Sequence, residues 1–209
     1  MDRRTALKNL TLATGYTIAA PSILSVLQSC KTDTLTWTPE FLSPTQGYIV
    51  KHLVDIILPT SDLPGGLDVN IPEFIDIMYK DVFDENEKQK FLKGADVFET
   101  KFTSIFNKKA AKGSKEDYEQ ILKIYFDIPK EKQQSIFRLL KEDASSISEG
   151  NKEKHHIYTF LTSVRDQSLF GYFTSQKIGE DILAYDPVPV DYIACDDINK
   201  LTNDRAWSL

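Results

Sequence analysis

Few residues in this chain could do chemistry. Histidines stand only at 52, 155 and 156, and cysteines only at 30 and 195, in 209 residues. His52 and Asp55 lie three apart in an apolar-periodic run, so on a helix they can touch. A metal there would need a third ligand, and none is obvious, so the pair reads as a helix-surface contact. A metal-assisted enzyme using His52 and Asp55 is the enzymatic alternative. His155 and His156 are adjacent, which on a helix sets them about 100° apart and makes a poor chelate. Asp62 and Asp68 flank the Pro64-Gly65-Gly66 turn and Glu73 follows. Their spacing does not match the twelve-residue calcium loop, so turn-forming roles are expected. The sequence has no Gly-x-Gly-x-x-Gly, no phosphate-cradling glycine loop with a lysine and no Gly-x-Ser-x-Gly elbow. Two cysteines cannot build a zinc cage, an iron–sulfur site or a disulfide framework, and no Cys-x-x-Cys-His run could attach haem. A net charge of -6 argues against a nucleic-acid partner. A chain of this length buries roughly 70% of its unfolded surface, so it needs no metal to fold.

The first thirty residues read as an address. Met1-Asp2-Arg3-Arg4-Thr5-Ala6-Leu7-Lys8 is a basic start, followed by a weakly apolar stretch to about Leu27 with Gly15 and Pro21 inside it. That order is the order of a secretory signal, and the stretch is barely long enough for a membrane span, with hydroxyls, Gly15 and Pro21 that would weaken its burial. Arg3-Arg4 with Leu7-Lys8 resembles the twin-arginine signal, which exports folded proteins. Ala6 departs from the Phe often found there, and an ordinary positive leader is the plainer reading. Leu27-Gln28-Ser29-Cys30 resembles a bacterial lipobox with an unfavoured Gln28; the plainer reading is a free cysteine near a cleavage site. Residues 1–29 are expected to be a twin-arginine signal peptide, and residues 30–44 a lipid anchor at Cys30 and a linker. Arg3, Arg4 and Lys8 against Asp2 make the leader +2, so the chain from Cys30 onward is about -8. Acyl chains at Cys30 would anchor it to a membrane at about 0.8 kcal/mol per buried methylene.

Residues 45–209 must position whatever the protein presents. Ile49, Val50, Leu53, Val54, Ile57 and Leu58 repeat at helical spacing until Pro59. Residues 59–70 form a loop. Asn70, Pro72 and Glu73 predict a capped helix start, with Phe74, Ile75, Met78, Tyr79, Val82 and Phe83 inward. Phe91, Ala95, Phe98, Phe102, Ile105 and Phe106 give a third buried face, a helical core rather than a cofactor box. Helices are predicted over 115–126, about 130–142 and about Lys154 to Leu169, with a loop at 143–152 and a short helix near 175–184. Tyr185-Asp186-Pro187-Val188-Pro189-Val190-Asp191-Tyr192 is barred from helix by its prolines. With Asp196 and Asp197 it reads equally as a solvated acidic tail and as an aromatic docking strip. The expected fold is all-α: a single helical domain with an irregular C-terminal arm rich in proline and aromatics.

The run from Leu53 to Gly65, then Val69-Asn70-Ile71-Pro72-Glu73-Phe74-Ile75-Asp76, resembles the gluconate 2-dehydrogenase subunit 3 family. Phe170-Gly171-Tyr172-Phe173-Thr174-Ser175 and Tyr185-Asp186-Pro187-Val188-Pro189 carry the same resemblance. It implies a non-catalytic small subunit without a cofactor of its own. Its partner would be a large flavoprotein of the glucose–methanol–choline (GMC) oxidoreductase type, which holds FAD and oxidises a sugar, sugar acid or glycoside. Electrons would pass to a cytochrome c, with haem c in a third subunit. The partner lacks a leader and would be exported folded with this chain, to the periplasmic side of a bacterial envelope. A lipobox departs from the better-known members. The docking surface expected on this basis comprises Pro64, Gly65, Tyr172, Tyr185, Pro187, Pro189 and Tyr192. The alternative is a free-standing envelope lipoprotein that binds a ligand or another protein.

Overall fold

The structure, a computed structural model, describes residues 35, 37–142, 146–188 and 195–208. The helices are α1 (Pro44–Ile57), α2 (Ile71–Asp81), α3 (Glu85–Phe106), α4 (Lys115–Phe126), α5 (Lys130–Lys141), α6 (Glu149–Thr174) and α7 (Ile198–Thr202). Short 3-10 turns at Leu67–Val69 and Ala110–Lys112 and a π-helical turn at Lys177–Ile182 complete them. The described residues contain no strand, only an isolated bridge between Ala184 and Trp207. The fold is all-α.

Local chemistry sets the helix ends. Ser43 opens α1 through a capping box: its hydroxyl accepts from the Gln46 N–H, and the Gln46 amide oxygen accepts from the Ser43 N–H. Ser114 and Asp117 do the same for α4. Asp84 caps α3 by accepting from the Glu87 N–H at 2.9 Å, and Asn107 ends it in the left-handed region at φ 51°. Asn70 precedes α2 differently from expectation. It sits left-handed at φ 55° and its side chain caps nothing; the turn Leu67–Val69 delivers the chain into α2 instead.

Helix α6 is the central post. It is buried on several sides, through His155, Ile157, Phe160, Leu161, Val164 and Ser168. Helix α3 lies against it so closely that a Cβ on Gly94 would fall 2.7 Å from both the His156 carbonyl oxygen and Phe160 Cβ. A train of rings fills the seam: Tyr79 on Phe91 at 3.9 Å, then Phe91 edge-on to Phe160 at 5.1 Å. Each fully buried ring or branched aliphatic here stabilises by about 1.5–3 kcal/mol. Burial pushes the Tyr79 hydroxyl up to about 12.

Three expectations differ. Helix α6 starts at Glu149 and runs through the Phe170–Phe173 stretch to Thr174, and the Lys101–Glu153 ion pair at 2.7 Å links its N-terminal part to α3. Val82 is 65% exposed because α2 has already ended at Asp81. Ile105 is 39% exposed. Antiparallel α6 begins at Glu149, so the last turn of α3 has outrun its cover.

The segment before α1 is tied down as well. The Asp76 carboxylate, 1% exposed, accepts the backbone N–H groups of Glu40 at 2.7 Å, Phe41 at 3.2 Å and Leu42 at 2.8 Å. Lys80 pairs with the Glu40 carboxylate beside it.

Candidate partner interface

Loop 59–70 is a small built structure. Asp68 closes it, its Oδ2 accepting from the Thr60 hydroxyl and the Gly65 N–H, both at 2.7 Å. Those two donors hold the Asp68 carboxyl below its ordinary range. Gly65 leaves no room for a side chain, since a Cβ would sit 2.6 Å from the Thr60 nitrogen. The Tyr172 hydroxyl, from the last turn of α6, donates to the Pro64 carbonyl at 2.7 Å. Gly171 is the contact that lets α6 come this close: a Cβ there would meet the Phe74 ring at 2.5 Å.

Of the expected docking residues, the structure therefore brings Pro64, Gly65 and Tyr172 together. Gly65 and Tyr172 are buried in that junction and Pro64 is half-buried. Tyr185 and Pro187 stand exposed on the arm. The arm is pinned where the Ala184 N–H donates to the Ala206 carbonyl and the Ser208 N–H to the Ala184 carbonyl, both at 2.8 Å. Pro189, Tyr192, Arg3, Arg4, Leu7, Lys8 and Cys30 lie outside the described residues. Cys195 is exposed as a free thiol.

His52 turns inward, face to face with Tyr118 at 4.8 Å and tilted on Tyr48 at 4.4 Å. Asp55 instead accepts from Lys115 Nζ at 2.6 Å. His155 is buried and His156 half-buried, their rings 5.8 Å apart and crossed at 73°. Burial lowers both below the ordinary histidine value. Among the described residues no group of three or more His, Cys, Asp or Glu is placed to hold a metal ion. Among them, too, no helix is long and apolar enough to cross a membrane.

A feature absent from the sequence reading lies between α1, α4, α5 and α6. Phe126 is 44% exposed and Phe137 60%. Phe126 stands between two hollows of about 220 Å³ each. One is walled by Leu53, Ile57, Leu122 and Leu161, the other by Ile136, Phe137, Leu140 and Tyr158. Arg165 borders both. A signal for this groove exists in α5, where Ile136, Phe137, Leu139 and Leu140 are more apolar residues than one buried stripe of a short helix can hold.

Such a constellation buries apolar side chains, and its polar members are positioned to hold structure together. The family model described as Gluconate 2-dehydrogenase subunit 3 matches residues 44–191. The chain belongs to the gluconate 2-dehydrogenase subunit 3 family. The match begins at the first residue of α1 and takes in every helix through α6, so loop 59–70, the groove and the start of the arm all fall within the family's domain. No curated protein and no solved structure matches the chain. As a subunit 3 family member, the protein is an accessory subunit associated with other gluconate 2-dehydrogenase subunits.

Proposed function

We propose that this chain is a non-catalytic small subunit that escorts a large flavoprotein through twin-arginine export, anchors it through a lipidated Cys30 and stabilises it. The large subunit is a GMC-type dehydrogenase that holds FAD and oxidises a sugar, sugar acid or glycoside. A third subunit with haem c takes the electrons. The complex sits on the periplasmic side of a bacterial envelope. The family match over residues 44–191 is the observation that carries this reading. Physical logic supports it. A flavin is inserted where the apoprotein folds, so a flavoprotein must cross the membrane folded. A cofactor-free helical body with a leader for folded cargo is suited to carrying it.

The test is affinity purification of the protein, tagged at its C-terminus, from its native membranes. Flavin absorption together with a band several tens of kilodaltons larger is expected. A colourless, monomeric single band would overturn the reading and leave a free-standing binding lipoprotein.

A further inference from the structure

One wall of the groove around Phe126 differs in charge from the molecule as a whole. The chain as a whole is -6, yet α5, which forms one wall, carries Lys130, Lys132, Arg138 and Lys141 against Glu131 alone. Among the described residues none of those four cations is ion-paired. Arg165 on the groove floor is paired to its neighbour Asp166 at 2.7 Å. The rest of the lining is mainly apolar, with Gln133 and Thr162 as its other polar members, and one exposed ring separates the two hollows.

Three occupants have the right apolar character, and shape and charge separate them. A lipid surface accepts protruding side chains, whereas this site is concave and receives them. A second copy of this chain, docked about a two-fold axis, would set the cations of α5 near their own equivalents. A partner helix with apolar residues at i and i+3 or i+4 fills two neighbouring hollows, and carboxylates on its flank answer α5.

We propose that this groove seats an acidic amphipathic helix of the large subunit, with an apolar side chain in each hollow beside Phe126 and carboxylates facing α5. The proposal rests on the accessory-subunit reading above. It places the main docking face on α4 and α5 rather than on loop 59–70, whose Pro64 carbonyl is already engaged by Tyr172 of α6. Apolar anchors in desolvated pockets dominate binding energy, while the α5 cations orient the encounter.

The experiment uses the full tagged chain in its native host. Photo-reactive benzoyl-phenylalanine replaces Phe137 in one strain and Val82, which borders neither hollow, in another. The chain with the probe at 137 is expected to cross-link to the flavin-bearing large subunit, on a peptide containing Asp or Glu; the probe at 82 is not. Phe137→Glu should weaken capture of the large subunit about thirtyfold, and Val82→Glu should leave it unchanged. Phe137 is mostly exposed, so equal melting curves will show that the variant folds. If the wild-type chain brings down the flavoprotein but the probe at 137 reaches only lipid or a second copy, the groove assignment fails and the accessory reading stands. Capture undiminished in Phe137→Glu has the same meaning. No flavoprotein with the wild-type chain overturns both.

Discussion

Asp76 offers the most exacting test of how this body is tied to the chain that precedes it. Its buried carboxylate takes three backbone N–H groups from residues 40–42. Replacing it with alanine leaves those donors without an acceptor. The Leu42 N–H is buried and cannot turn to water; a bond to a charged group at that site is worth about 1.5–3 kcal/mol. Phe41 is half-buried and its bond is longer, so it adds a fraction of that. Glu40 is exposed and recovers by hydration. The sum for Asp76→Ala is a loss of about 3 kcal/mol. Asp76→Asn keeps one carbonyl oxygen for Phe41 and Leu42 but turns an NH₂ group toward the Glu40 N–H. It should cost about 1–2 kcal/mol.

Urea unfolding of the purified protein, followed by circular dichroism, reads both values. Limited proteolysis reads the local consequence, with new cleavage between residues 37 and 43 in Asp76→Ala. The reasoning is refuted if Asp76→Ala unfolds within about 0.5 kcal/mol of wild type, or if asparagine is as damaging as alanine. The functional stake is the tether. Under the proposed lipid anchoring at Cys30, residues 37–43 carry the whole helical body, and Asp76 is where that strap is fastened to α2.

The remaining predictions are quicker to state. Gly94→Ala should destabilise by about 1–2 kcal/mol, because the overlap with α6 outweighs roughly 1 kcal/mol of helix propensity. Gly150→Ala, whose Cβ meets nothing within 4 Å, should stabilise by about 0.5 kcal/mol; paired thermal melts compare them. Burial lowers both His155 and His156, so below the unfolded-chain value of about 6.5 the unfolded state takes up protons first. Stability is therefore complete above that pH and declines as pH falls toward the lowered folded values. Melting temperature between pH 8 and 5 should show this slope, and His155→Gln, which removes the ring facing Lys90 and Glu142, should make it shallower. Tyr172→Phe should lose about 1 kcal/mol and open loop 59–70 to protease; unchanged cleavage would show that the Pro64 bond does not hold the loop.

The helices were largely legible because their signals are local. The stripe from Phe91 to Phe102 and the apolar repeat from Ile49 to Leu58 mark elements without reference to anything distant. The extent of α6 was hidden, because its two ends are marked by contacts with other elements, Glu153 with Lys101 of α3 and Gly171 with Phe74 of α2. Both are tertiary effects with no periodic trace. The roles of Asp76 and Tyr172 were hidden for the same reason. Asp76 looks like one more charged residue on α2, and only the arrival of residues 40–42 gives it partners. The groove leaves one trace in the sequence, the excess of apolar residues on short α5.

Burial separates the aromatics that hold the fold together from those left exposed. Tyr172, at the end of α6, is drawn inward and fastens loop 59–70 to the helices. Exposed apolar residues are scattered over the molecule, Val82, Phe170, Val188 and Trp207 among them, but Phe126 and Phe137 border one hollow beside a cationic helix on an otherwise acidic molecule. Like-charged bodies repel one another in the free state, which limits self-association through the groove. An acidic helix feels the opposite force there and is drawn in. Under the proposed docking, charge selects the occupant before apolar burial holds it, an order that suits the proposed escort of a folded cargo.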